Sequence, residues 1–219
     1  MPALLDVVFS MILGLTIVMI IINANVVVGE GWFAFNNDVL VQQMLISTAS
    51  ILEGELRNVG YNVPKGEQLS TGVILYADVD RLEFATDLRN DDCGLPGVDI
   101  VTYYLGEPGE MNYQNEEIRV LYRKVNDCEP SGVGLVTHLE LKYFDIIGNE
   151  LTTPLIEPAN IYMMEIELEV QSPYGVYRDP STVQEGERDA VYATSMWRQT
   201  RLASKNFILQ TRNWKLPTE

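Results

Sequence analysis

Residues 7–28 read VVFSMILGLTIVMIIINANVVV, and no charged side chain interrupts them. A helix over residues 3–28 is roughly 39 Å long at ~1.5 Å per residue, enough to cross the ~30 Å hydrocarbon core of a bilayer. Asp6 is the only charged side chain in residues 1–28, and the first basic side chain of the whole chain is Arg57. A cleaved secretory signal has a cationic start, a short apolar run and a small-residue cleavage site. This run has no Lys or Arg before it and is too long, so it reads as a retained membrane helix. Glu30 and Asp38 beyond the run favour an N-terminus on the inner side.

The rest of the chain is unlike this arm. The protein has 219 residues, 31 acidic against 15 basic, a formal charge of −16, a pI near 4.4 and a mean hydropathy close to zero. The neutral mean is an average over an apolar arm and an acidic body. So acidic a chain argues against nucleic-acid binding, which needs clustered Lys and Arg to neutralise phosphate. It also argues against docking on anionic lipid through a basic patch. The length predicts one to two domains: an arm over residues 1–30 and a globular head over 31–219.

Gly29-Glu30-Gly31 is expected to break or loosen the first helix. Trp32, Phe33 and Phe35 follow, either an interfacial aromatic cluster or the start of core packing. A second helix is expected over residues 36–60. Asn36 or Asn37 would cap its start, Arg57 lies in its last turn and Gly60 serves as the left-handed residue after it. Its apolar positions are Leu40, Met44, Leu45, Thr48, Ile51, Leu52, Leu56 and Val59, near an i, i+3, i+4 stripe. Beyond Tyr61 the period changes to two. Strands are expected at Val73–Tyr76, Arg81–Thr86, Asp99–Leu105, Ile118–Val125, Leu135–Phe144 and Ile161–Gln171. The alternation suits an antiparallel sheet with one covered and one solvated face. The fold class is therefore α+β.

Cys93 and Cys128 are the only cysteines, too far apart for a CxxC site. They read as a disulfide if the head lies outside the cytoplasm, and otherwise as two buried thiols. Closing that loop stabilises by roughly 4 kcal/mol on the chain-entropy view. His138, the only histidine, falls in an alternating strand beside Glu140 and Lys142, a solvated position rather than a catalytic base. No nucleophile elbow, P-loop, zinc-protease or dinucleotide motif occurs, and no carboxylate pair has a distinguishing setting, so no enzyme is expected. The acid-rich turn with Asp87, Asn90, Asp91 and Asp92 has oxygen ligands suited to calcium, but Arg89 and Cys93 spoil the EF-hand register. A strand-to-strand turn is the simpler account, since Asn and Asp are turn formers.

Several stretches occur in a family order. They are LEGELRNVGY at 52–61, DRLEFATD at 80–87, VDIVTYYL at 98–105, LELKYFDIIG at 139–148, and a terminal segment from Arg201 to Asn206. With the apolar helix carrying one acid near its start, this order resembles the type IV pilin superfamily, most closely the PilW-type minor pilins. The resemblance implies a pilin-like fold, a long N-terminal helix with an apolar arm and an amphipathic half packed on an antiparallel sheet. It implies a structural subunit of an extracellular, cell-surface filament, anchored in the inner membrane before assembly. Its partners would be identical or related pilin subunits and the pilus assembly machinery. In that family an acid at mature position five meets the N-terminal amine of the next subunit. Asp6 takes that place if Met1 is removed, which Pro2 permits; otherwise it sits solvated at the headgroup level beside the helix N-terminus. Gly14 is the first point at which the arm's helix propensity falls. The family acid is usually Glu, and its short basic leader is not found here. Two further readings are a single-pass anchored binding protein that never polymerises, and a minor or tip pseudopilin of a secretion system.

Addition of EDTA to the purified protein is expected to leave its melting temperature unchanged, as a plain turn requires. A drop on chelation, reversed by calcium, would make the 87–92 turn a metal site.

Overall fold

The computed structural model describes residues 2–63, 73–88, 93–94, 97–113, 115–155, 158–174 and 195–203, with side chains in the first helix from Leu5 onward. One helix, α1, runs without interruption from Pro2 to Leu56, 55 residues. It is roughly 82 Å long at ~1.5 Å per residue. The expected break at Gly29-Glu30-Gly31 is absent, and Asn36 and Asn37 lie inside the helix rather than capping a second one. A helical glycine costs about 1 kcal/mol of propensity but leaves the hydrogen-bond ladder intact, and helix on both sides carries it through. No proline occurs between Pro2 and Pro64 to remove a donor. What changes along α1 is burial: Asn37 is its first buried residue.

The helix stops at Leu56 and the chain turns through Arg57 to Asn62. The helix end falls four residues earlier than expected, so Gly60 caps no helix; it lies within this turn in the left-handed conformation, φ +72°. Its N–H donates to the Ala85 carbonyl at 2.9 Å, which ties the end of the helix to the second strand.

Two antiparallel sheets replace the one expected. The first holds β1 (Ile74–Ala77), β2 (Arg81–Thr86), β3 (Asp99–Leu105), β4 (Arg119–Val125) and β5 (Ser131–Val136), in chain order. The second holds β6 (His138–Phe144), β7 (Glu150–Leu151), β8 (Met163–Gln171) and β9 (Ser195–Leu202), in the order β7-β6-β8-β9. The expected strand 135–144 is divided at Thr137. The alternation slips by one there. Gly134 and Val136 face inward on β5, whereas Leu139, Leu141 and Tyr143 do so on β6. A one-residue slip turns every following side chain to the other face, so one flat strand cannot carry both halves. The Thr137 N–H and hydroxyl both donate to the Glu169 carbonyl, at 2.9 and 3.2 Å, and pin the crossover to β8.

The upper half of α1 lies on both sheets. Its buried stripe is Val41, Leu45, Thr48, Ala49, Leu52 and Leu56. This differs from the expected stripe at Leu40 and Ile51, which are 39% and 41% exposed. The stripe shares one core with Phe84, Val101, Tyr103 and Leu121 of the first sheet and with Leu141, Tyr143, Ile166 and Leu168 of the second.

The closest approach of helix to sheet is at Gly134. A Cβ there would collide with the Thr48 hydroxyl and stand 2.9 Å from both its Cβ and its Cγ2. No rotamer of Thr48 removes the Cβ contact, so the helix itself would have to lift. Gly134→Ala is therefore expected to destabilise the head by about 1–3 kcal/mol, as overpacking does. Thermal unfolding followed by circular dichroism measures it, and an unchanged melting temperature would contradict this seating of α1 on β5.

Candidate assembly surface

Every described side chain from Leu5 to Val28 is exposed. Leu13, Ile21, Met11 and Met19 are each more than half exposed, and at ~100° per residue they stand at roughly 0°, 80°, 160° and 240° around the helix. Isolated exposed apolar residues are ordinary, but a contiguous patch of this size marks contact with lipid or protein. The two hydroxyls of the arm make no demand on water. Ser10 donates to the Val7 carbonyl at 2.9 Å and Thr16 to the Leu13 carbonyl at 2.8 Å. Such back-bonding within the helix suits a helix in an apolar medium. Asp6 is exposed on this surface, Gly14 has open space where a side chain would stand, and Pro2 is the first helical residue.

The arm is held to the head by two carboxylates two residues apart in the last turns of α1. Glu55 reaches the first sheet: it accepts from the Tyr103 hydroxyl at 2.6 Å and pairs with Arg123 Nε at 2.8 Å. Glu53 reaches the second: it pairs with Arg198 Nε at 2.9 Å and accepts from the Thr200 hydroxyl at 2.9 Å. Acids near a helix C-terminus oppose the helix dipole, so a partner cation is needed to hold them there. Burial pushes the Tyr103 phenol far above its usual range, and the adjacent Glu55 charge adds to the shift. It therefore acts as a fixed hydrogen-bond donor. Periodicity singles out neither acid, since both lie off the apolar stripe expected for this helix. The signal available was the acid pair itself at a helix end, where acids are disfavoured.

Cys93 and Cys128 are joined by a disulfide, with Cα atoms 6.2 Å apart. It fastens the loop before β3 to the turn after β4. Asn126, at φ +49°, reinforces the join. Its amide donates to the Cys93 carbonyl at 3.0 Å and to Asp99 at 2.8 Å, and its oxygen accepts from the Ile100 N–H at 2.9 Å. Of the calcium candidates, Asp87 accepts a hydrogen bond from the Asn62 amide, while Asn90, Asp91 and Asp92 lie outside the described residues. Among the described residues, no three His, Cys, Asp or Glu side chains converge on a metal-sized site.

The outer face of the second sheet is a grid of charge. Register aligns Lys142, Glu165 and Arg201 in one row, Glu140, Glu167 and Gln199 in the next, and His138, Glu169 and Trp197 in a third. Lys142 bridges Glu140 and Glu167 at 3.2 and 3.3 Å. His138 stands 3.8 Å from Glu140 with half its side chain in solvent. Glu165 is buried. Burial alone would raise its pKa, but Arg201 and Gln199 hold the carboxyl below the usual range.

No family model matches the chain, and no curated protein matches it. Among solved structures the chain is similar to the type IV-like pilin TTHA1219 from Thermus thermophilus. The likeness has a TM-score of 0.45 at 13% identity, covering 76% of this chain and 96% of that one.

Replacing Glu55 with Ala is expected to cost about 2–3 kcal/mol, because it strands a largely buried arginine and phenol. Denaturant unfolding of the single variants Glu55→Ala and Arg123→Ala and of the double variant measures the coupling. Additive losses in that cycle would mean that the pair does not clamp helix to sheet.

Proposed function

We propose that this protein is a structural subunit of a type IV pilus-like extracellular filament, which polymerises through its apolar N-terminal helix. One observation carries the reading: a long arm, apolar on every side, continues without a break into a helix seated in a folded head. A plain membrane anchor needs only the apolar length. A rigid helix that joins arm to head does more, because it fixes the spacing of heads once arms pack side by side. The order of short motifs along the chain adds to this reading.

The subunit begins as a single-pass membrane protein with its head on the outer side, where the disulfide would persist. Assembly machinery then moves the arm from lipid into a bundle of arms from identical or related subunits. Asp6 pairs in the bundle with the N-terminal ammonium of a neighbour, Pro2 starts the helix and Gly14 allows close approach of backbones. The acidic heads face outward, where like charge keeps fibres apart. The chain performs no catalysis in this scheme. The filament role is the same whether the chain is the main polymer or a PilW-like minor or tip subunit.

Asp6→Lys is expected to abolish filaments while the chain still inserts in the membrane and its head still folds. Electron microscopy of sheared surface material, with mass spectrometry of the fibres, reads the outcome. Normal fibres from Asp6→Lys would overturn the assembly role of Asp6. Replacement of residues 5–28 by an unrelated apolar helix separates the readings further. A non-polymerising anchored binding protein tolerates the swap, whereas a filament subunit does not.

A further inference from the structure

Trp32, Phe33 and Phe35 are 67%, 48% and 65% exposed, so they do not begin the core of the head. We infer that these three residues form an aromatic collar that seats in the headgroup layer of the membrane before assembly and sets how far the arm is inserted. The inference rests on the membrane-anchored stage of the filament reading.

Three features fit that one occupant. The first is depth. The uncharged run from Val7 to Val28 is roughly 33 Å long as helix, about the thickness of a bilayer core. The collar stands roughly 6–10 Å beyond Val28 along the axis, at the level of the headgroups. The second is direction. At ~100° per residue the three rings spread over about 160° of the helix circumference. The side they leave open is that of Asn37, where α1 first meets the head. A seam with one partner helix would put its apolar residues in a stripe. A wide collar suits a layer that surrounds the helix, and rings that are apolar in body with Trp polar at one edge are at home there. The third is charge. Residues 1–56 contain no Lys or Arg, and Glu30 and Asp38 flank the collar, so attraction to anionic lipid cannot hold the protein at its depth. Aromatic partitioning acts beside the arm's own apolar length, and both are indifferent to salt.

The test uses the full chain reconstituted in phosphatidylcholine vesicles. The double variant Trp197→Phe, Trp214→Phe leaves Trp32 as the only tryptophan. Trp32 emission is expected to be blue-shifted from that of a Trp197-only variant and to be quenched more by lipid brominated near the headgroup than by lipid brominated near the chain ends. Its quenching by aqueous acrylamide is expected to be weaker than that of Trp197, and added salt or anionic lipid to change none of these readings. If the chain floats with the vesicles while Trp32 is quenched by acrylamide like free tryptophan, the collar is refuted and the anchor stands. Stronger quenching from the chain ends than from the headgroup region also refutes it. If the chain fails to float with vesicles at all, the anchored stage fails, and the collar with it.

Discussion

The governing constraint is that half of a single helix has no partner among the described residues of its own chain. The described arm from Leu5 to Val28 offers apolar surface in every direction, and the head is too far along the axis to cover it. Full burial of a Leu, Ile, Val or Met side chain is worth about 1.5–3 kcal/mol, so the exposed arm represents tens of kcal/mol in water. No rearrangement of a marginally stable head offsets that. The arm must sit in lipid or among other apolar helices, and the remaining structure is arranged to let it.

That requirement explains the way the head grips the helix. If the arm is held in another medium, load on the molecule passes through the upper half of α1. There the helix is fastened by three different means. The apolar stripe from Val41 to Leu56 lies in the common core, and Gly134 lets the backbone of β5 come close beside Thr48. Glu55 and Glu53 then attach the last turns separately to the first and second sheets. Ion pairs add little on an exposed surface. Here they are partly buried and directional, and each joins elements far apart in sequence, so they fix orientation more than they add stability. The Gly60 hydrogen bond to Ala85 closes the same corner.

Much of this was legible in the sequence, and the failures have physical causes. Strands Arg81–Thr86 and Asp99–Leu105 appear with the expected bounds because buried Leu82 and Phe84, and Val101 and Tyr103, alternate with Glu83 and Thr102 at their centres. The 135–144 run was read as one strand because both halves alternate, and only the one-residue slip near Thr137 betrays two sheets. Alternation does not show strand β9, and the family order marks only its end at Arg201, because its inward-facing Arg198 and Thr200 are polar, their partner being Glu53 on the helix rather than an apolar core. The helix break at Gly29-Glu30-Gly31 was expected from local propensity, which a long helix on both sides overrides. The stripe on α1 was drawn too wide, since Leu40 and Ile51 have apolar character but lie off the face that meets the sheets.

On the filament reading, one residue gives assembly its direction. Lipid tails are as apolar as the arm, so moving the arm from membrane to bundle gains almost nothing from the hydrophobic effect. The gain must come from tight packing and from groups that lipid serves badly. Asp6 is the one ionisable side chain in residues 1–28. At the centre of a bilayer a carboxylate costs about 2.5–3.5 kcal/mol, and near the headgroups less. A carboxylate next to a neighbour's ammonium in a water-poor bundle is paired, and there the same low dielectric strengthens the attraction. The difference acts only when a second subunit is present, so it favours the polymer over the lone anchored chain. The acidic head works in the other direction, since its surplus charge repels its neighbours through water, where salt screens the repulsion within about 10 Å. Attraction in the dry core and screened repulsion at the wet surface together favour a fibre of limited width over an amorphous aggregate.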